Sequence, residues 1–210
     1  MTPYIIEACV ESIQEAITAQ KNGAHQIELC RALHLDGLTP ELSTITEVIS
    51  ELDIPVKVMV RPKPGDFVYN QEEVKQMRDA ILAIKELPIA GIVLGALTNE
   101  SLLDIPLIKT LVSIATPINV TIHKAIDQSK DPLSDLKRLN NMKGIEAVLT
   151  SGKASTALEG KHLLKKMIHH APEEIEVIVA GKITRENLSL VHTEIGATAY
   201  HGREIVGQLF

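Results

Sequence analysis

Short runs of β-branched and aliphatic residues alternate along this chain with longer stretches in which apolar positions recur every three to four residues. The short runs predict eight strands: Tyr4 to Cys9, Gln26 to Cys30, Val56 to Val60, Gly91 to Leu94, Asn119 to Ile122, Ala147 to Thr150, Glu176 to Ala180 and Ala199 to His201. The spaced stretches predict amphipathic helices over Ser12 to Asn22, Glu41 to Glu51, Gln71 to Leu87, Ile105 to Ile114, Leu133 to Asn140, Thr156 to His169 and Arg185 to Ile195. Local signals support the boundaries. Ser12 with Glu15 reads as a capping box, Asn22-Gly23 supplies the left-handed residue that stops a helix, and Asp131-Pro132 places a capping carboxylate before a first-turn proline.

Strand starts fall about 22 to 35 residues apart, the length of one βα unit, so the strands form a parallel sheet. Runs such as GIVL and VIVA lack the alternation of a sheet with one wet face, which fits strands covered on both sides. Eight such units predict one domain over residues 1–210, a closed α/β TIM barrel of the (β/α)₈ type. An open doubly wound sheet is the alternative, but neither Gly-x-Gly-x-x-Gly nor a Walker loop is present, and no nucleotide cofactor is expected. Only GREIVGQLF follows the last strand, too little for a full eighth helix. A truncated or missing last helix leaves part of the first and eighth strands poorly covered, and a homodimer is expected to bury that gap.

Composition narrows the function. The 210 residues carry a net charge of −6 and are 45% hydrophobic, with three Tyr, two Phe and no Trp. An acidic surface with so few rings argues against nucleic acid, which needs basic faces and stacking platforms. No apolar run reaches the roughly 18 to 20 residues that span a bilayer. MTPYIIEACVES lacks the basic start and long apolar middle of a leader, so a cytoplasmic location is expected. Two cysteines in a reducing compartment are free thiols rather than a disulfide framework.

In a barrel of this kind chemistry sits after the C-terminal strand ends, and nearly every predicted strand ends in a polar residue. Glu7 and Cys9 close the first, Glu28 and Cys30 the second, Arg61 the third, His123 and Lys124 the fifth, Thr150 to Gly152 the sixth, Gly181 and Lys182 the seventh and His201 the eighth. Such convergence predicts a functional cleft. The third loop, RPKPGDFVYN, is stiffened by two prolines and a glycine and holds Phe67 and Tyr69, which suggests a lid or partner-facing loop.

At these residues the sequence resembles the CutC family of copper homeostasis proteins. The resemblance runs almost end to end. It is carried by E-A-C-V-E-S (Glu7 to Ser12), G-A-H-Q-I-E-L-C (Gly23 to Cys30), G-L-T-P (Gly37 to Pro40), V-M-V-R-P-K-P-G-D-F-V-Y-N (Val58 to Asn70), G-I-V-L-G-A-L (Gly91 to Leu97) with Asp104, H-K-A-I-D (His123 to Asp127), L-T-S-G (Leu149 to Gly152) and A-G-K-I with Asn187. The resemblance implies a cytosolic barrel, often oligomeric, linked to copper tolerance or Cu(I) binding, with no firmly established reaction. This chain departs from the family pattern at Asp36, where glycine is usual, at Glu41, where serine is usual, at Lys124, where arginine is usual, and in the glycine-rich turn after the seventh strand, which is reduced, with Lys182 in the run. Lysine at 124 keeps the charge and loses the bidentate fork.

Two chemistries remain open. Counting by two, Glu7 and Cys9 share a face, as do Glu28 and Cys30, so the two thiols approach each other near the rim of neighbouring strands. Soft thiolates in a reducing cytosol suit Cu(I), which makes Cys9 and Cys30 candidate metal ligands. The alternative is an enzyme acting on a small anionic or phosphorylated metabolite. There Glu7 and Glu28 serve as paired carboxylates, Arg61 holds an anion, and His123 supplies acid or base chemistry with Asp127 as its orienter and His201 beside them. Gly181 and the helix start near Asn187 occupy the place where many barrels bind phosphate. No His-x-x-x-His pattern supports zinc.

Overall fold

The computed structural model describes residues 4–209; Phe210 and Met1 to Pro3, part of the segment read for a leader, lie outside them. Eight strands, β1 (Ile5–Val10), β2 (Gln26–Leu29), β3 (Val56–Met59), β4 (Gly91–Leu94), β5 (Asn119–Ile122), β6 (Ile145–Thr150), β7 (Glu176–Val179) and β8 (Ala199–Gly202), pair in chain order, and β8 closes onto β1. All pairings are parallel. The expected (β/α)₈ barrel is therefore formed, and every predicted strand lies within two residues of its observed bounds.

Helices α1 (Ile13–Lys21), α2 (Leu42–Glu51), α3 (Gln71–Ile84), α4 (Ile105–Ala115), α5 (Ala125–Gln128), α6 (Pro132–Arg138), α7 (Ala157–His170) and α8 (Leu188–Ile195) connect the strands. The four-residue α5 was not expected, because a single turn is too short to show periodicity. Reciprocal capping boxes start α3 at Asn70/Glu73 and α7 at Thr156/Glu159, and Asp131 caps α6 ahead of Pro132. The box expected at Ser12 is only half made. Ser12 Oγ accepts from Glu15 N–H at 3.2 Å, but the Glu15 carboxylate accepts from Glu11 N–H at 2.8 Å instead of closing onto Ser12.

Alternate residues of each strand point outward and pack with the helices in one apolar shell that includes Ala8, Val10, Ile27, Leu29, Val58 and Val60. Among the described residues no helix follows β8, as the short tail predicted. The expected exposure of β1 and β8 is not found, however. Ile205, Val206 and Leu209 of the tail are buried in the same shell as Ala8, Val10 and Tyr200, so a turn of the tail does the covering that a helix would do. Each such aliphatic side chain contributes about 1.5–3 kcal/mol by leaving water. No helix among the described residues is long and apolar enough to cross a membrane.

The inside of the barrel is divided. Ala147, Leu149, Ile178, Ala180 and Ala199 make an apolar wall along β6 to β8. Opposite it stand Glu7, Glu28, Lys57 and Thr121, all buried. Buried charges require partners. Lys57 Nζ lies 2.8 Å from Glu146 Oε1, 3.1 Å from Thr121 Oγ1 and 3.8 Å from Glu7 Oε2, and Gln26 Nε2 donates to Glu7 Oε2 at 2.8 Å.

Candidate functional site

The polar half of the interior leads up to the C-terminal mouth. In the barrel register Glu7 faces Gln26 on β2 and His201 on β8, while Cys9 faces Glu28. Period two then places Cys9 above Glu7 and Cys30 above Glu28. The two sulfurs are 4.0 Å apart, and Cys30 Sγ lies 3.2 Å from Glu28 Oε1. His201 Nδ1 sits 2.7 Å from Glu7 Oε1 and 3.6 Å from Glu28 Oε2. Gly37, at the head of G-L-T-P, backs this group, since a Cβ there would stand 3.0 Å from Cys30 Sγ.

The charges follow from these contacts. The S–H of Cys30 and then His201 stabilise the Cys9 thiolate and bring its pKa down to about 6 against the cost of burial. Cys30 is driven up by donating to Cys9 and by burial among anions. Burial, reinforced by the negative Cys9 and Glu7, pushes Glu28 up to about 8. For His201, burial works against a charge, but Glu28, Cys9 and Glu7 outweigh it and hold its pKa well above the usual range. At neutral pH the geometry presents one thiolate, one thiol and an imidazolium in a buried cluster.

Across the mouth, on β3 and β5, the electrostatics reverse. His123 packs on Phe67 with ring centroids 4.7 Å apart, and its Nδ1 accepts from Ala125 N–H at 3.1 Å, which puts the neutral ring's proton on Nε2. Burial, aided by the Arg61 charge, lowers its pKa to about 3. Gly95 makes room for the ring: a Cβ there would lie 2.7 Å from His123.

The sequence-predicted residues thus divide. Glu28, Cys9, Cys30, Arg61, His123, Asp127, Gly181 and His201 line a mouth cavity of about 760 Å³, while Glu7 lies beneath it as the partner of His201. Arg61, expected to hold an anion, gives both terminal nitrogens to backbone, while its buried Nε has no hydrogen-bond partner among the described residues. Its Nη1 donates to the carbonyls of Leu35, Asp36 and Gly37 at 3.0, 3.1 and 3.2 Å, and its Nη2 to Gly65 at 2.9 Å, tying two loops together beneath Phe67. Asp127 does not orient His123. It accepts from Thr150 Oγ1 at 2.5 Å, Ser151 N–H and Oγ at 2.9 Å, and Lys153 N–H at 3.0 Å, so it anchors the loop after β6. Gly181, at φ +115°, presses against the start of α7 and accepts from Ala157 N–H at 2.9 Å. Asn187 closes its own loop by donating to Lys182 O and accepting from Thr184 N–H, each at 2.9 Å, and does not line the cavity. The suggested lid is pinned: Phe67 is buried, and Leu97 N–H donates to its carbonyl at 2.8 Å.

Sequence reasoning missed Lys57, Gln26 and Met59. Met59 packs with Cys9, Cys30 and Val93, which puts a thioether beside the thiols. The available signal for Lys57 was a lysine inside the otherwise aliphatic VKVMV.

A parallel (β/α)₈ barrel with its titratable residues gathered at and just below the C-terminal mouth defines the class of protein. Within that class the chain belongs to the CutC family, whose sequence profile matches residues 4–206. It is 40% identical over 198 residues to the copper homeostasis protein cutC homolog of Homo sapiens, covering 94% of this chain and 72% of that one. It is 37% identical over 196 residues to a family protein CutC of Pasteurella multocida, covering 93% and 80%. Among solved structures it is similar to a protein from Streptococcus agalactiae described as a copper homeostasis protein CutC. That similarity has a TM-score of 0.91 and 30% identity, over 96% of this chain and 99% of the other.

Proposed function

We propose that this protein binds Cu(I) as cargo in the cytoplasm through Cys9 and Cys30. The observation that carries the reading is the thiol pair itself, two buried sulfurs 4.0 Å apart. Metal–thiolate bonds of about 2.3 Å span that separation at an S–metal–S angle near ~120°, which suits a soft ion of low coordination number. Cys9 is already the thiolate, and Met59 packs in the same cluster as a further soft group. The names of the relatives point the same way. Competition with a chromophoric Cu(I) chelator tests it: Cys9→Ala/Cys30→Ala loses tight binding, and a double variant that titrates like the parent sinks the proposal.

One observation favours a second reading, an enzyme or binder for a small anionic or phosphorylated compound. The cavity of about 760 Å³ is far larger than an ion requires, and Lys124 and Lys182 stand exposed on its lining. A metabolite screen by thermal shift that raises Tm for such a compound supports this reading, and a screen with no stabilising compound counts against it. A homodimer belongs to the proposal as well. Ile5 at the foot of β1 and Leu190 on α8 are exposed apolar residues available to it, and a monomeric mass at micromolar concentration overturns it.

A further inference from the structure

Beneath the thiols the geometry points to a second cation site, formed by Glu7, Glu28 and His201 and suited to a divalent first-row ion that prefers oxygen and nitrogen. This goes beyond Cu(I) binding and does not depend on it. Each of the three residues offers one ligand atom, and these atoms all lie within 4.8 Å of one another at buried positions. His201 Nδ1 is 2.7 Å from Glu7 Oε1 and 3.6 Å from Glu28 Oε2. Ligands about 2.1 Å from a common ion stand about 3.0 to 3.4 Å apart at octahedral or tetrahedral angles, and His201 Nδ1 stands close to that spacing from both carboxylates.

An independent observation singles out the same point. Glu28 Oε2 is buried and has no hydrogen-bond partner among the described residues, whereas Oε1 faces Cys30. A buried carboxyl oxygen left without a partner costs about 1–3 kcal/mol, and a cation that displaces the carboxyl proton supplies what is missing. The charge also suits a divalent ion, because on binding it displaces the protons of His201 and Glu28, after which two carboxylates with a neutral imidazole balance it. Lys57 is the competing cation. It stands 3.8 Å from the other oxygen of Glu7 but is held closer, at 2.8 Å, by Glu146. Glu28 and His201 line the mouth cavity, so an ion reaches the triad without opening the barrel.

The two sites divide by softness. Sulfur ligands lie toward the mouth, oxygen and nitrogen ligands beneath, and Glu28 gives one carboxylate oxygen to each side. Mn(II), which thiolates hold weakly, is therefore the discriminating probe. Titrated into the full chain and followed by electron paramagnetic resonance, Mn(II) binds the parent and Cys9→Ser/Cys30→Ser alike. His201→Ala and Glu7→Gln each weaken it by more than about tenfold. Where thermal unfolding shows that His201→Ala does not fold, His201→Gln carries the same expected loss. Mn(II) that stays free in millimolar excess over the parent, or that binds the folded His201 variant as it binds the parent, overturns the site. Loss of Cu(I) with Mn(II) retained in the double cysteine variant separates this outcome from failure of the thiol reading.

Discussion

His201 and His123 stand on opposite sides of one cavity, and their surroundings shift their charge in opposite directions. Both are largely withdrawn from water, and burial disfavours charge on each. His201 has carboxylates at 2.7 and 3.6 Å and a thiolate beside it, so its charge is stabilised. His123 has an aromatic ring, a backbone amide on Nδ1 and the Arg61 guanidinium nearby, so its charge is suppressed. The difference teaches that desolvation alone does not decide a buried histidine. What decides it is whether the neighbouring strands contribute anions, as β1 and β2 do, or a cation, as β3 does.

Arg61 clamps the uncharged side of the mouth, and its removal should have the largest effect. Arg61→Ala leaves four carbonyls without their donor, and equilibrium denaturation should show a loss of about 3–5 kcal/mol. A loss under about 1 kcal/mol would return Arg61 to the role of a free anion binder. On the charged side, Cys9 should outpace Cys30 in reaction with iodoacetamide at pH 7 by at least about a hundredfold, because only the thiolate attacks. Peptide mapping by mass spectrometry reads the ratio. Equal labelling would remove the asymmetry on which the thiolate assignment rests.

His123 sharpens the contrast through pH. Its pKa is about 3 in the folded chain against an ordinary 6.5, so below pH 6.5 the unfolded chain takes up a proton that the folded chain refuses. Stability is lost as pH falls from 6.5 toward 3, by about 2 kcal/mol at pH 5 from this one group. His123→Gln should lose less over the same interval. Parallel pH profiles for parent and variant would place the acid sensitivity elsewhere. The smallest effect is expected at Lys182, a non-glycine residue at φ +51° on the cavity lining. Lys182→Gly relieves left-handed strain of about 1 kcal/mol, and an unchanged or lowered Tm would show that lysine costs nothing there.

Asp36 and Lys182 connect these energetics to what was legible beforehand. Asp36 stands where the family pattern has glycine and Lys182 lies in a turn that the pattern makes glycine-rich, and both adopt positive φ, +64° and +51°, the conformation glycine enters without strain. The thiol pair was equally legible, because period two and neighbouring strands suffice to bring Cys9 toward Cys30. The roles of Arg61 and Asp127 were not. Their residue types suggested an anion clamp and an orienter, and only the folded chain shows that carbonyls from two loops and the amides after β6 had already claimed them.

Eight strands, their parallel closure into a barrel and the strand ends at which chemistry gathers were all legible in the amino-acid order. Those features rest on periodicity, turn residues and strand spacing, which are local and repeat along the chain. Tertiary structure alone decided which polar side chains meet. The stagger between neighbouring strands sets Glu7 against His201 and Cys9 against Glu28. It leaves one oxygen of Glu28 without a hydrogen bond among the described residues and favours charge on His201 while suppressing it on His123. Electrostatic energy depends on distances of a few ångströms between residues up to 194 positions apart, such as Glu7 and His201, and no pattern confined to one segment records them.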